Sequence, residues 1–397
     1  MLLSSAVGVR HNPGMGKLER AVNIADLRRI GRARLPAVVF DYLDGAAGQE
    51  HTLRDNVRAF RRWGFRPQHG VEIKNLDLSV TVMGQRLDWP ALAAPIGYSA
   101  LMHKDGERGT ARAARKAGIG GVLSTISGAR LEDVAATGVK LFMQIYLLAG
   151  REAGEATLAR CEAAGVKGLF LTIDTPVAGL RERDFRNGMN QLLGRDVFAK
   201  LRYLPDVLAH PGWVAAYMMG ARMPALPNVV VPGEGPLPMT DVAKTLSRSM
   251  VTWEDLKWIR AQWKGPIAIK GVLTGDDARR AVDGGADAVV VSNHGGRQLD
   301  GVAAGLDALP EVVSAVGAHC EVLMDGGVRR GSDIVKALAL GARAVLLGRG
   351  TAYGLAAGGE AGVDRALAIF HADLVRTMKL LGCASLAQLN ADYLQRR

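Results

Sequence analysis

His294 stands in the segment SNHGGRQLDG, flanked by Asn293 and two glycines and three residues ahead of Arg297. Imidazole is the commonest general base, and glycines beside it let the backbone bring it to an exposed loop apex. Asp174, in TIDTP, is an acid that can orient such an imidazole and stabilise its protonated form; as a residue before Thr175-Pro176 it can equally start a turn. Arg181, in DTPVAGLRERD, and Arg297 could together clamp a carboxylate in planar fashion, or each could pair with a neighbouring acid such as Glu182 or Asp184. Two glycine-rich segments, DGGVRRG (325–331) and LGRG (347–350), supply backbone N–H groups and arginines of the kind that cradle a phosphate. GIGGVL (118–123) lacks the third glycine of a dinucleotide fingerprint and GGVRRGSD lacks the Lys-Ser/Thr of a P-loop, so nicotinamide and ATP are disfavoured. The chemistry indicated is proton abstraction next to a bound anion, with a phosphorylated cofactor or substrate.

These residues fall at the ends of a regular series of elements. From Ala91 onward, short apolar runs alternate with amphipathic helical stretches, the rhythm of a parallel sheet buried on both faces. Eight runs are expected as strands: 91–95, 120–125, 140–146, 168–174, 266–271, 288–293, 321–326 and 344–349. Helical patterns lie between them, including Gly106–Ala117, Asp276–Asp283 and Gly331–Leu340, the last with Ser332 as N-cap. Eight β/α units make a closed (β/α)8 TIM barrel the expected fold, and its catalytic mouth lies at the C-terminal strand ends. Those ends carry Pro95 and Gly97, Ser124, Gln144 with Tyr146, Thr172 with Asp174, Lys270, Ser292 with His294, Asp325 with Gly327, and Gly348 with Arg349. Any one could be a cap or a turn; eight together converge on one site.

The 397 residues exceed one barrel of about 250, so additions are expected. We expect a loose segment at 1–22, an N-terminal helical cover at 23–90, and the barrel at 91–397 with an insertion at about 183–250 after the fourth strand and a C-terminal helical tail. With 48% hydrophobic and 22% charged residues the chain can bury a large core. Its formal charge of +11 suits anionic substrates, cofactor phosphates or acidic lipids, and the lack of any RNP, zinc-finger or basic-helix pattern argues against nucleic acid. Cys161, Cys320 and Cys383 match no metal or redox spacing and read as buried thiols of a reducing compartment. No metal ligands are expected. Nothing at the start resembles a secretory signal and no stretch reaches ~18 uninterrupted apolar residues, so a cytoplasmic location is expected.

SNHGGRQLD, LMDGGVRRGSDIVKALALGA, TIDTP and MQIY resemble the FMN-dependent α-hydroxy-acid dehydrogenase and oxidase family, over roughly Ile24 to Leu394. The resemblance implies oxidation of an L-2-hydroxy acid to the 2-oxo acid on FMN. His294 is similar to the general base, with Asp174 as its partner; Arg181 and Arg297 would hold the carboxylate, and Tyr42 and Tyr146 would bond the substrate's polar groups. For FMN it points to Ser124, Gln144 and Thr172 at the ring edge, Lys270 near N1, Ser292, and Asp325, Gly327, Arg329, Gly348 and Arg349 on the ribityl and phosphate groups, with Pro95 at the first strand end. It further implies a homotetramer.

Gly97, Ile126 and Ala178 are smaller than their counterparts in short-chain oxidases of the family, which implies a roomier pocket and a bulky or aromatic, mandelate- or lactate-like acid. The insertion mixes Trp213, Tyr217, Met218 and Met219 with Arg202 and Arg222; such a basic amphipathic segment (about 200–230) can lie on the inner face of a membrane and pass electrons to a quinone, or it can form an active-site lid. Three other readings stand beside this dehydrogenase: an oxidase using O2, a flavin maturase of a peptide-derived redox cofactor similar to the mycofactocin enzyme, and a catalytically silent barrel. Arg297 favours an acid substrate over the peptide, and His294 with Lys270 argues against the silent barrel.

Overall fold

The computed structural model describes residues 16–189, 197–221, 225–231, 233–242, 245 and 250–397. Residues 1–15 of the loose start expected at 1–22, Arg222, and parts of the insertion lie outside the described residues. Eight parallel strands close into one barrel: β1 (Ala91–Ala93), β2 (Gly120–Leu123), β3 (Lys140–Ile145), β4 (Leu169–Thr172), β5 (Ile267–Val272), β6 (Ala288–Val291), β7 (Glu321–Met324) and β8 (Ala344–Leu347), the last pairing back to β1. The expected (β/α)8 fold is the fold observed. Seven of the strands stop one or two residues earlier than the sequence suggests, because the polar residues that follow turn out of the ladder to build the mouth, while β5 runs one residue further, to Val272.

Inside the barrel, alternate residues interdigitate as the pleat dictates: Leu92, Phe142, Phe170, Val290, Leu323 and Leu346 point inward and are buried. Phe142 and Phe170 meet edge to face at 5.7 Å. The N-terminal end is plugged by an antiparallel hairpin, Val80–Val82 with Gln85–Leu87, whose Val82, Met83 and Leu87 join this inner cluster. Polar groups at the strand starts fasten it: Met83 N donates to Glu321 at 2.9 Å and Arg343 donates to Thr81 O at 2.9 Å.

Around the mouth lie three helices from the N-terminal region: α1 (Ile24–Arg34), α2 (Ala37–Asp44) and α3 (His51–Ala59). Asn23 caps α1, its side chain accepting from Asp26 N at 2.9 Å. α1 packs on the long C-terminal helix Arg349–Leu381 at Gly31, where even a methyl group would stand 3.0 Å from Ala356 Cβ. The segment Trp63–Phe65 pairs antiparallel with the C-terminal Leu394–Arg396, tying the two chain ends together.

One local expectation is corrected. Ser332 is not the N-cap of Gly331–Ala339; Arg330 holds that position, and the Asp333 carboxylate accepts from the N–H groups of Arg329 and Arg330 at 2.9 and 3.0 Å. An acid in the first helical turn that reaches back satisfies two donors at once, and Ser332 N instead donates to Asp373. Within the insertion, Val197–Leu201, Leu204–Leu208, Pro211–Ala216 and a π-turn at Tyr217–Ala221 are followed by a β-hairpin, Ala225–Val231 with Gly235–Pro238.

Candidate active site

The loop after β6 presents His294 with φ of +57°, followed by Gly295 and Gly296, also left-handed. Its Nδ1 lies 3.0 and 3.2 Å from the two carboxylate oxygens of Asp174. A carboxylate only accepts, so Nδ1 carries the proton and Nε2 is left as the basic nitrogen. Burial opposes the charge on Asp174, but His294 and the Lys270 ammonium outweigh it and hold the carboxyl below its usual range. Asp174 fits there because β5 bulges at Gly271 (φ +106°), where an added Cβ would come within 2.6 Å of Asp174 Cβ. The turn reading of Asp174 gives way to an acid aimed at an imidazole.

Across the same cavity stand the two arginines. Arg297 donates to the carbonyls of Tyr42 and Gly45 at 2.7 and 3.0 Å and lies 4.8 Å from the Tyr42 ring. Burial first, then the facing Arg181, push its guanidinium below the usual arginine value, which is the electrostatic signature of a site awaiting an anion. Arg181 lies 5.7 Å from the centroid of the same Tyr42 ring and 3.4 Å from Asp184, so it makes the acid pair while still lining the cavity with Arg297. Tyr42 Oη reaches Gly97 O at 3.5 Å, and burial with the charge of Asp174 keeps the Tyr146 phenol protonated. Gly97 and Ala178 line the same space, and a Cβ added to Gly97 would stand 3.4 Å from Ile126.

The opposite wall is a row of fixed polar groups. Gln144 accepts from Ser124 at 3.3 Å and donates to Thr172 at 3.1 Å, and Pro95 closes the row at the end of β1. Lys270 is buried between Ser292 Oγ (2.9 Å) and Asp325 Oδ2 (3.0 Å). Burial opposes its charge, but Asp325 and Asp174 raise its pKa above the ordinary lysine value. Asp325 Oδ1 is buried without a partner, an acceptor that a sugar-like hydroxyl would satisfy. Gly327 (φ +82°) lies so close to α3 that a Cβ would overlap Asn56 O at 2.0 Å. Arg329 and Gly348 line the cavity beyond it. Arg349 also lines it, and its guanidinium donates to the carbonyls of Leu43, Gly45 and Gly295 at 2.7–3.2 Å, so it braces the loops around the expected phosphate position as well as facing it. The space these groups surround is about 1290 Å³ including its open mouth. Base, clamp, cation and orphaned acceptor fit a flavin mononucleotide with an anionic substrate beside it.

The family model described as FMN-dependent dehydrogenase matches residues 31–396. The chain belongs to this family. It is 41% identical to an L-lactate oxidase of Nostoc sp. over 96% of its own length and 100% of that protein. It is 40% identical to an (S)-mandelate dehydrogenase of Pseudomonas putida, covering 94% of this chain and 93% of the relative. Among solved structures it superposes on a monotopic membrane (S)-mandelate dehydrogenase with a TM-score of 0.88 at 40% identity, covering 95% of this chain and 100% of that one. The resemblance read from SNHGGRQLD and its companions is therefore borne out, and with it the FMN cofactor and the oxidoreductase class. Among the described residues no helix is long and apolar enough to cross a membrane.

Several residues that hold this site together escape a reading of strand ends. Gln298, inside SNHGGRQLD, donates to the carbonyls of Asp174 and Val177, both at 2.9 Å, and accepts from Gly179 N, tying the loop after β6 to the loop after β4. Arg183 bonds Asp44 at 3.1 Å and Glu50 at 2.5 Å, fastening the Arg181 loop to α2. Asp44 is further held by both guanidinium edges of Arg28 and by Tyr353 Oη. The Arg183 signal lay in the sequence as RERD, an arginine alternating with acids, but its partners are more than 130 residues away.

Proposed function

We propose that this enzyme oxidises a bulky or aromatic L-2-hydroxy acid to its 2-oxo acid and passes the electrons to a quinone or a similar acceptor. The observation that carries the reading is His294, oriented by Asp174 across one cavity from the Arg181–Arg297 pair. The substrate's α-C–H is a poor hydride donor until its hydroxyl loses a proton. His294 Nε2 takes that proton, and Asp174 stabilises the imidazolium that results. Arg297 and Arg181 hold the carboxylate, which fixes the α-carbon, while Tyr42 and Tyr146 bond its remaining oxygens. FMN, when bound, supplies the two-electron acceptor. Ser124, Gln144, Thr172 and Pro95 would hold its ring edge, Asp325 its ribityl hydroxyls, and Gly327, Arg329 and Gly348 its phosphate. Lys270, steadied by Ser292, would offset the negative charge that reduction leaves.

Gly97 and Ala178 support an aromatic substrate, since neither fills the wall with a side chain. The exposed Leu201, Leu204, Leu208 and Met219 of the insertion, beside Lys200 and Arg202, support contact between residues 200–230 and the cytoplasmic membrane face. A homotetramer is part of the same reading. Similarity to an L-lactate oxidase favours a second reading, with O2 as acceptor.

Anaerobic bleaching of the flavin by L-mandelate, L-lactate and glycolate, followed by admission of air, tests both. Bleaching by mandelate ahead of glycolate with slow recolouring is the expected result; fast recolouring would make the enzyme an oxidase, and bleaching by dithionite alone would remove hydroxy acids as its substrates.

A further inference from the structure

The loop that carries His294 is held not only by the barrel but also by α3, a helix of the N-terminal region. His294, Gly295 and Gly296 are three successive left-handed residues, a path that persists only where the surroundings over-determine it. Two sets of contacts from α3 do so. At the helix N-terminus, where no local side chain caps the free N–H groups, Asp300 of the His294 loop accepts from Thr52 N at 2.8 Å and His51 N at 3.3 Å, and Thr52 Oγ1 accepts from Gly301 N at 2.8 Å. One turn later the side chains of Asn56 and Asn293 exchange two hydrogen bonds, 2.8 and 2.9 Å, both amides being buried.

The two amides also bond beyond each other. Asn56 Oδ1 accepts from Gly305 N at 3.2 Å, while Asn293 accepts from Gly296 N at 3.1 Å and donates to Ala303 O at 2.9 Å, so all of its own donor and acceptor positions are filled. Asn56 lies against the loop after β7 as well: a Cβ added to Gly326 would come within 3.4 Å of its side-chain amide, and one added to Gly327 within 2.0 Å of its backbone carbonyl. A single residue outside the barrel thus bonds the loop bearing the proposed base and packs beside the glycine loop next to the orphaned Asp325.

We infer that Asn56 is a positioning residue for the reaction, setting the distance from His294 to the substrate hydroxyl through Asn293. This rests on His294 acting as the base. An amide exchanging two bonds with its partner fixes both translation and rotation of the loop, and a displacement of about 1 Å at a reacting group can cost on the order of 10²-fold in rate.

The experiment is stopped-flow flavin reduction on the FMN-loaded enzyme with L-mandelate, comparing Asn56→Ala, Asn293→Ala, the double variant, the isosteric Asn56→Asp and His294→Ala. Asn56→Asp cannot donate to Asn293 Oδ1 yet keeps the volume, so it covers the case in which Asn56→Ala fails to fold. The limiting reduction rate should fall by about 10-fold or more in each Asn variant that retains FMN, while the Kd for the 2-oxo acid product changes by less than about two-fold. The double variant should be no slower than the slower single variant, as a shared contact requires. A rate unchanged in Asn56→Asp, a loss confined to product Kd, or strictly additive losses would overturn the inference. If His294→Ala itself reduces flavin at the unmodified rate, the base assignment fails instead, and the two outcomes are told apart in one series.

Discussion

The loop after β6 and the long insertion after β4 both serve the same mouth, yet they are built in opposite ways. Residues 292–301 carry His294 and Arg297 and are fixed at nearly every turn, by Lys270 through Ser292, by Asn56, by α3 at Asp300 and by Gln298. The insertion contributes Ala178 and Arg181 at its start, is fastened there by Arg183, and then runs outward into short helices whose Leu201, Leu204, Leu208 and Met219 are exposed. Proton transfer tolerates little displacement, so the group that does it sits where buried amides and charges leave one arrangement. Substrate size and the surroundings of the acceptor tolerate variation, and they fall to the segment that runs outward from the mouth.

Breaking the rigid side should produce the largest effect. His294→Ala is expected to keep its FMN and lose about 10²- to 10⁴-fold in the rate of flavin reduction, the usual range for a missing general base. Flavin content by absorbance and reduction by stopped-flow read the two separately. Loss of the flavin together with the rate would mean that the loop, and not the imidazole, had been removed.

On the β4 side the change should alter selectivity more than speed. Ala178→Phe or Gly97→Phe narrows the cavity next to Tyr42 and Ile126, and forcing a large substrate past an added ring costs about 1–3 kcal/mol. Turnover of mandelate should therefore drop by about 10-fold or more relative to glycolate. Equal losses on the two acids would place the aromatic end of the substrate elsewhere and separate the pocket's size from the insertion.

The two loops were also unequally legible in the sequence. Strands buried on both faces read as near-continuous apolar runs, so the barrel and the residues at its strand ends stand out: His294, Asp174, Lys270, Asp325 and Arg297 all converge where the eight-run pattern puts them. Asn56 and Asp300 do not announce themselves, because a polar residue on a helix or in a loop looks solvated until its partner, 237 or 248 residues away, is known. Arg349 read as an anion ligand because it follows a glycine at a strand end, and only the three carbonyls it meets reveal a brace. In the insertion, ALPNVVV carries Pro227 yet forms a strand, since an edge strand tolerates a residue with no N–H to donate.

That strand gives the smallest and most local test of the contrast, because it is where the insertion returns to the barrel. Asn228, almost fully buried, accepts from Leu131 N at 2.8 Å and donates to Ala129 O at 2.9 Å, while Arg160 bridges Glu132 at 2.8 Å and Pro227 O at 2.9 Å. The Arg160 guanidinium lowers the Glu132 carboxyl from an ordinary 4.5 to about 2. A carboxyl depressed in the folded state stabilises it above the unfolded value and loses that contribution as pH falls through the folded one, so this anchor should weaken between about pH 4.5 and about pH 2. Amide hydrogen exchange at 225–231 should accelerate over that window ahead of exchange in the barrel strands, and Glu132→Gln should make it fast already at neutral pH and flat on acidification. Exchange that stays slow in Glu132→Gln would show that Asn228 alone fastens the hairpin, and the insertion would then be attached by a buried amide, by the same device that holds the catalytic loop.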